Sequence, residues 1–300
     1  MTSIPSALVR GVLAAVAAAT LALVVSTAGS ARSLQLQHVT LIGDSVADAI
    51  AQTDSAVAVV RQGVDLDLEV APCRRVEGDG CPYQGVRPPS VVQLANSMGS
   101  KLGANVVVSV GYNDFEDQYA GNIEDALAAF KTAGVKRVFW LTLRAAHHPY
   151  VTMNDDIEAA AQHHPELTVI DWNIYSRSHP DWFQTDGLHL LYPGAIAMAT
   201  LIHKSLLTAG VAAAPVRVST TTLPLAHEGK PYRARLAAAA GIAPYRWTLL
   251  ERAPSGIHLE ANGSIVGTPR SRIGRYTFNV RVKDAAGSMA TRRLTLRIAR

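Results

Sequence analysis

Apolar residues follow two different rhythms along this chain. From His38 onward, short apolar runs alternate with stretches whose apolar positions recur every three to four residues. Val39–Ile42, Leu66–Val70, Asn105–Gly111, Val138–Thr142 and Leu167–Ile170 read as strands, the third apolar enough to be buried on both faces. Asn122–Ala133 places Ile123, Ala126, Leu127 and Phe130 on one helical face, with Asn122 as its cap. Asn154–His163 and Gly194–Leu207 read as further helices. Strand and helix in alternation predict an α/β domain over residues 38–207, its parallel sheet covered on both sides.

After a linker of mostly small residues, 208–215, the rhythm changes to a period of two. Tyr232–Leu236, Tyr245–Leu250, Tyr276–Val282 and Thr291–Ile298 are β-rich, and turn signals such as Ala261-Asn-Gly263 separate them. Residues 216–299 therefore predict a small all-β sandwich.

Composition divides the chain at the same place. Hydrophobic residues make up 48% and charged residues 17%, which suits packed cores and excludes bulk disorder. The segment from Val216 carries 15 Lys and Arg against 4 acids, a net of +11, whereas Arg32–Pro215 carries 12 against 20, a net of −8. An acidic body with a basic tail points to two modules that meet different surroundings.

The N-terminus has the order of a secretory signal peptide over residues 1–31. Arg10 precedes the apolar run Gly11–Val25, and small residues follow, with cleavage expected after Ala28 or Ala31. An uncleaved anchor is the other reading, and no later segment is apolar for long enough to span a bilayer. Export permits a disulfide, and the two cysteines, Cys73 and Cys81, are expected to close a small surface loop.

The first strand runs into Gly43-Asp44-Ser45, at the carboxyl edge where open α/β sheets hold their sites. Glycine permits a tight approach there, and the helix that follows favours a developing negative charge. The third strand ends in Gly111-Tyr-Asn113-Asp114, and an Asn at that edge can aim its amide into the site. Gly85 precedes a helix and could offer a bare N–H to the same site. Near the end of the domain comes Thr185-Asp186-Gly187-Leu-His189. A hydroxyl nucleophile needs a base, and the base needs an anion to fix its tautomer. Asp186 and His189 can meet through a turn at Gly187.

In this order and context the motifs resemble the SGNH, or GDSL-like, serine hydrolase family over about residues 38–207. The resemblance implies a flavodoxin-like three-layer fold and a catalytic set of Ser45 as nucleophile, His189 as base and Asp186 as its orienting anion. It also implies an oxyanion hole formed by Ser45 N–H, Gly85 N–H and the Asn113 side chain, with Gly63 as the other candidate for the glycine. Val-Ala-Asp follows Ser45 where the GDSL group has Leu. The tail, with Gly229-Lys-Pro-Tyr232, Ala243-Pro-Tyr-Arg-Trp247 and Gly263-Ser-Ile-Val-Gly-Thr-Pro269, resembles immunoglobulin-like domains of bacterial surface proteins.

These features predict a secreted or wall-associated esterase or acyltransferase acting on small acyl esters, with acetyl groups of extracellular polysaccharide as the expected target. A non-catalytic adhesion protein built on a retired hydrolase is the rival reading. The basic tail is expected to meet an anionic cell-wall polymer; no cofactor, metal or nucleic-acid partner is expected. His147-His148 and His163-His164 are the only pairs that suggest a metal; the first pair would otherwise line the substrate mouth, and the second ends a helix, where His is favourable anyway. Trp172 reads as core and Trp182 as a candidate pocket wall. Arg74 and Arg75 read as solvated loop residues, with contact to an anionic substrate as the alternative.

Overall fold

A computed structural model describes residues 36–145 and 150–300. The expected leader, residues 1–31, and the His147-His148 pair lie outside the described residues. No helix among the described residues is long and apolar enough to cross a membrane.

The first lobe opens with β1 (Gln37–Gly43), α1 (Ser45–Ala51), α2 (Asp54–Val60), β2 (Val64–Val70) and α3 (Val91–Met98). It continues with β3 (Asn105–Ser109), α4 (Glu116–Ala133), β4 (Arg137–Leu141), α5 (Tyr150–His163), β5 (Leu167–Ile170), α6 (Trp172–Ser176) and α7 (Tyr192–Thr208). All five strands are parallel, in the order β2-β1-β3-β4-β5. This is the doubly wound, flavodoxin-like order, with its switch point between β1 and β3.

Alternation along each strand builds one core on either face of the sheet. Val39, Leu41, Val107, Phe139 and Leu141 join Ile50, Met198 and Ile202 on the side of α1, α2 and α7. Ile42, Val106, Val108, Val138 and Trp140 join Leu94, Ile123 and Phe130 on the side of α3, α4 and α5. Trp172 is fully buried in the first of these cores, as core packing requires.

Two helices start earlier than apolar periodicity alone predicts. α5 begins at Tyr150, four residues before Asn154. α4 begins at Glu116, with Glu116 and Asp117 in its first turn, where carboxylates suit the helix dipole. Asn122 is therefore not a cap but a residue within α4, its amide donating to Asp114 Oδ1 at 3.3 Å.

The second lobe is all β, with β6 (Arg217–Val218), β7 (Ala226–His227), β8 (Tyr232–Arg235), β9 (Ala238–Ala239) and β10 (Arg246–Leu249). It ends with β11 (Ile257–Leu259), β12 (Ser264–Gly267), β13 (Gly274–Lys283) and β14 (Met289–Ala299). A sheet ordered β10-β13-β14-β7 and a sheet ordered β11-β12-β8 close on one core that includes Tyr232, Trp247, Ile265, Phe278, Val280, Leu294 and Leu296. β6 and β9 form a separate short pair.

Candidate active site

The sheet's switch point brings together three chain segments. Asp44 caps α1, its Oδ1 accepting from Val46 N–H at 3.0 Å. Its Oδ2 accepts from Gly111 N–H at 3.2 Å and Tyr112 N–H at 3.3 Å. One buried carboxylate thus ties the end of β1 to the loop after β3. Burial pushes the Asp44 carboxyl up to about 6, against the pull of those three N–H groups and of His189. Gly43 lets α1 approach the sheet, since a Cβ there would lie 2.4 Å from Ala47 Cβ.

Ser45 stands at the first position of α1, where its N–H has no intrahelical acceptor. Its Oγ lies 3.0 Å from His189 Nε2. His189 Nδ1 lies 2.7 Å from Asp186 Oδ2. Asp186 Oδ1 accepts from the N–H groups of Leu188 at 2.9 Å and His189 at 3.0 Å, and Gly187 turns the chain between them at φ +72°. Burial pulls the Asp186 carboxyl up, but the hydrogen bonds from Leu188 and His189 outweigh it and hold the group below its ordinary value. The carboxylate therefore stays ionised and favours the tautomer that leaves Nε2 free to accept a proton from Ser45.

Trp182 does not line the cleft at Ser45; it stacks between Trp172, at 6.0 Å, and His179, at 3.8 Å. Its carbonyl accepts from Leu191 N–H at 2.8 Å, which braces the turn that carries His189.

Of the three expected oxyanion donors, Ser45 N–H and Asn113 belong to the two segments that Asp44 ties together, whereas Gly85 lies in an exposed turn. Asn113 Nδ2 donates to Arg74 O at 3.2 Å, with one amide hydrogen to spare, and Arg75 Nε donates to Asn113 O at 2.7 Å. Gly85 sits at φ +80° in an exposed turn closed by a Tyr83–Val86 bridge, and α3 begins beyond it with Ser90 as cap. Only Tyr83 of that turn reaches the cleft. Gly63 is no nearer, being packed at φ +71° against the Ala213 backbone at the amino end of β2.

The sequence reading took Cys73 only as one half of the expected Cys73–Cys81 disulfide, which the structure contains. The pairing of β1 with β2 continues past Gly43 with Ala71 N–H donating to Gly43 O at 3.0 Å, so Pro72 comes alongside Ser45, and both line one cleft. Arg74 N–H donates back to Ala71 O at 3.4 Å, closing a turn with Pro72 second and Cys73 third, and Cys73 has φ +67°. Those are the marks of a type II turn, whose third position glycine normally takes. A disulfide to Cys81, with Cα atoms 5.1 Å apart, anchors Cys73 there. Among the described residues its N–H makes no hydrogen bond. The available signal was Ala-Pro-Cys directly after β2, with proline where a type II turn prefers it.

Arg74 is neither solvated nor free to meet substrate. It is 3% exposed and donates to Pro89 O at 3.0 Å and to Glu69 O, holding the turn from behind. Arg75 lies over the Phe115 ring at 4.1 Å. His164 pairs with Glu124 at 2.9 Å, and no group of three or more metal-ligating side chains forms among the described residues.

The cleft beside Ser45 and His189 encloses about 230 Å³ and is lined by Asp48, Ala49, Gln52, Pro72, Tyr83, Gln184 and Leu190. It is smaller than the roughly 300–1,000 Å³ of sites that take drug-sized ligands.

Residues 214–299 match the family model He_PIG, "Putative Ig domain". The chain is similar to O-acetyltransferase OatA of Staphylococcus aureus strain NCTC 8325 / PS 47, 31% identical over 111 residues, covering 36% of this chain and 17% of that protein. It is similar also to the "Putative peptidoglycan O-acetyltransferase YrhL" of Bacillus subtilis strain 168, 27% identical over 97 residues, covering 32% and 14%. The matches thus span less than a fifth of those relatives' length. Similar solved structures include the esterase EstA from Pseudoalteromonas sp., 13% identical with a TM-score of 0.43, covering 57% of this chain and 99% of that one. A carbohydrate esterase family 3 protein from Talaromyces cellulolyticus is 16% identical with a TM-score of 0.41, covering 58% and 98%.

Proposed function

We propose that this chain is an extracytoplasmic serine esterase or O-acetyltransferase of the SGNH type, acting on acetyl esters of wall or extracellular polysaccharide. The observation that carries the reading is the hydrogen-bonded series Asp186–His189–Ser45, at 2.7 and 3.0 Å, at the carboxyl edge of the sheet. The sequence relatives, O-acetyltransferases, support acyl transfer or hydrolysis, and the name of one includes peptidoglycan. The leader-like N-terminus agrees with action outside the cytoplasm.

Ser45 Oγ attacks the ester carbonyl carbon while its proton passes to His189 Nε2. The carbonyl oxygen becomes an oxyanion, met by the N–H groups of Ser45 and Cys73 and by the Asn113 amide. As the intermediate collapses, the C–O bond to the alcohol breaks and His189 returns its proton to the leaving oxygen. An acyl-Ser45 ester remains. Water or a sugar hydroxyl then attacks it, with His189 again taking the proton; the acyl C–Oγ bond breaks and His189 returns the proton to Ser45 Oγ. Asp186 keeps its charge throughout and stabilises the imidazolium.

A cleft of about 230 Å³ with Asp48, Gln52 and Gln184 on its walls suits a small acyl group and a polar alcohol. Activity on 4-nitrophenyl esters of graded length tests this. Acetate is expected to be the best substrate, with kcat/KM falling at least tenfold by the octanoate. An octanoate turned over as well as acetate would reject the small-acyl reading.

A further inference from the structure

The second lobe carries a charge pattern that neither its folding nor ester chemistry requires. In β10, β13 and β14, alternate residues are buried in the sandwich core, and the remainder point outward on one face. Six outward positions are cationic: Arg246, Arg275, Arg281, Lys283, Arg293 and Arg297. No Asp or Glu stands at an outward position of these three strands.

Register makes the pattern costly. Arg275 lies opposite Arg297, and Arg246 lies opposite Lys283. Like charges directly opposite on one face are destabilising. The cost is not relieved internally, since every ion pair within 4.0 Å among the described residues involves a histidine of the first lobe. Arg293 Nη2 donates only to Thr277 Oγ1, at 3.2 Å. Glu251 reaches the face from beyond β10 and accepts from Asn279 at 2.6 Å near the middle of β13.

We infer that this sheet face is a docking surface for a linear phosphodiester-linked carbohydrate polymer. Arg275 to Lys283 spans about 27 Å along the strand at roughly 3.4 Å per residue, and three strands give about 10 Å of width. Charges lie at both ends of that strip, so a single small anion cannot meet them, whereas an extended polyanion lying along β13 meets all six. Five of the six are Arg, whose forked guanidinium matches phosphate oxygens. The face has no aromatic side chain on which nucleobases would stack. Its exposed large apolar residues are single ones, Met289 in β14 and, just outside the strands, Leu250 and Ile273, too little to anchor in a bilayer. This inference stands apart from the active-site reading and would survive its failure.

The test is binding of the full chain to immobilised synthetic poly(glycerol phosphate), measured against salt. Arg281→Gln/Arg293→Gln/Arg297→Gln should weaken binding at least tenfold at low salt. The comparison variant Arg233→Gln/Arg235→Gln/Arg270→Gln removes the same charge from exposed positions elsewhere on the lobe and should change it less than threefold. Parent binding should fade above about 0.3 M salt, where screening is shorter than about 6 Å. Equal weakening by both triple variants would reduce the effect to net charge and overturn the assignment of a face. Tighter binding to phosphatidylglycerol vesicles or to oligothymidylate would overturn the choice of occupant. No binding at low salt would overturn the docking surface altogether.

Discussion

If the Cys73 N–H is an oxyanion donor, opening the Cys73–Cys81 bridge should slow the chemistry through one backbone angle. Cys81→Ser leaves Cys73 in place but removes the anchor that holds it at φ +67°. A non-glycine residue costs about 1–2 kcal/mol in that region, and each 1.4 kcal/mol is about tenfold. The competent turn should then be populated at roughly 3–15%, so kcat falls about 6- to 30-fold. That stays below the roughly 10²–10³ expected when a donor is removed outright. Glycine takes positive φ without strain, so Cys73→Gly/Cys81→Ser should recover kcat to within about twofold of the parent. Cys73→Val/Cys81→Ser, with a β-branched residue at the same angle, should be slower than Cys81→Ser. The assay is steady-state hydrolysis of 4-nitrophenyl acetate, resolved into kcat and KM. KM should change little, because the donor acts on charge that develops only in the transition state. A bridge closing so short a loop stabilises by about 3 kcal/mol or less, so circular dichroism at the assay temperature must show each variant folded. Full kcat in Cys81→Ser, or a Cys73→Gly/Cys81→Ser enzyme as slow as Cys81→Ser, would refute the assignment.

Two further outcomes follow from the same geometry. Burial raises the Asp114 carboxyl to about 7 and that of Asp44 to about 6, so between about pH 4 and 7 these two groups bind more protons in the folded chain than in the unfolded one. Their contribution to the unfolding free energy therefore falls as pH rises through that window, and Asp114→Asn should flatten the upper part of the slope in denaturant titrations at pH 6 to 8. An Asp114→Asn slope equal to the parent's would reject the burial account. Gly43→Ala would set a Cβ 2.4 Å from Ala47 and 3.1 Å from Val70 Cγ1, lifting α1 and Ser45. It should cost about 1–3 kcal/mol of stability and at least tenfold in kcat; unchanged melting and turnover would mean that α1 has room to move.

The legible parts of the chain were those fixed by local pattern. All five strands of the first sheet fall within about two residues of their apolar runs, and the interior strands β1, β3 and β4, buried on both faces, leave the most continuous hydrophobic signal. Asp186-Gly-Leu-His189 was equally readable, since a glycine turn brings two nearby residues together whatever the tertiary context. The start of α4 was not readable, because Glu116–Gly121 carries its helical preference in charges at the dipole and not in apolar spacing. Nor was Cys73. Its proposed role depends on the β1–β2 register, which sets Pro72 beside Ser45 across 27 residues of sequence, and parallel register is a property of the folded sheet. Gly85 was expected just before a helix; α3 begins six residues on, at Val91, and the bridge from Tyr83 to Val86 holds Gly85 in an exposed turn.

The central claim, that Ser45 carries the acyl group, is tested most directly by trapping that group. The protein is mixed with 4-nitrophenyl acetate, quenched in acid within the first turnover, digested and read by mass spectrometry. The account predicts one acetylated peptide, modified at Ser45, and no such adduct and no turnover in Ser45→Ala. An acetyl group found on another residue, or a Ser45→Ala protein that turns over the ester at the parent rate, would contradict it.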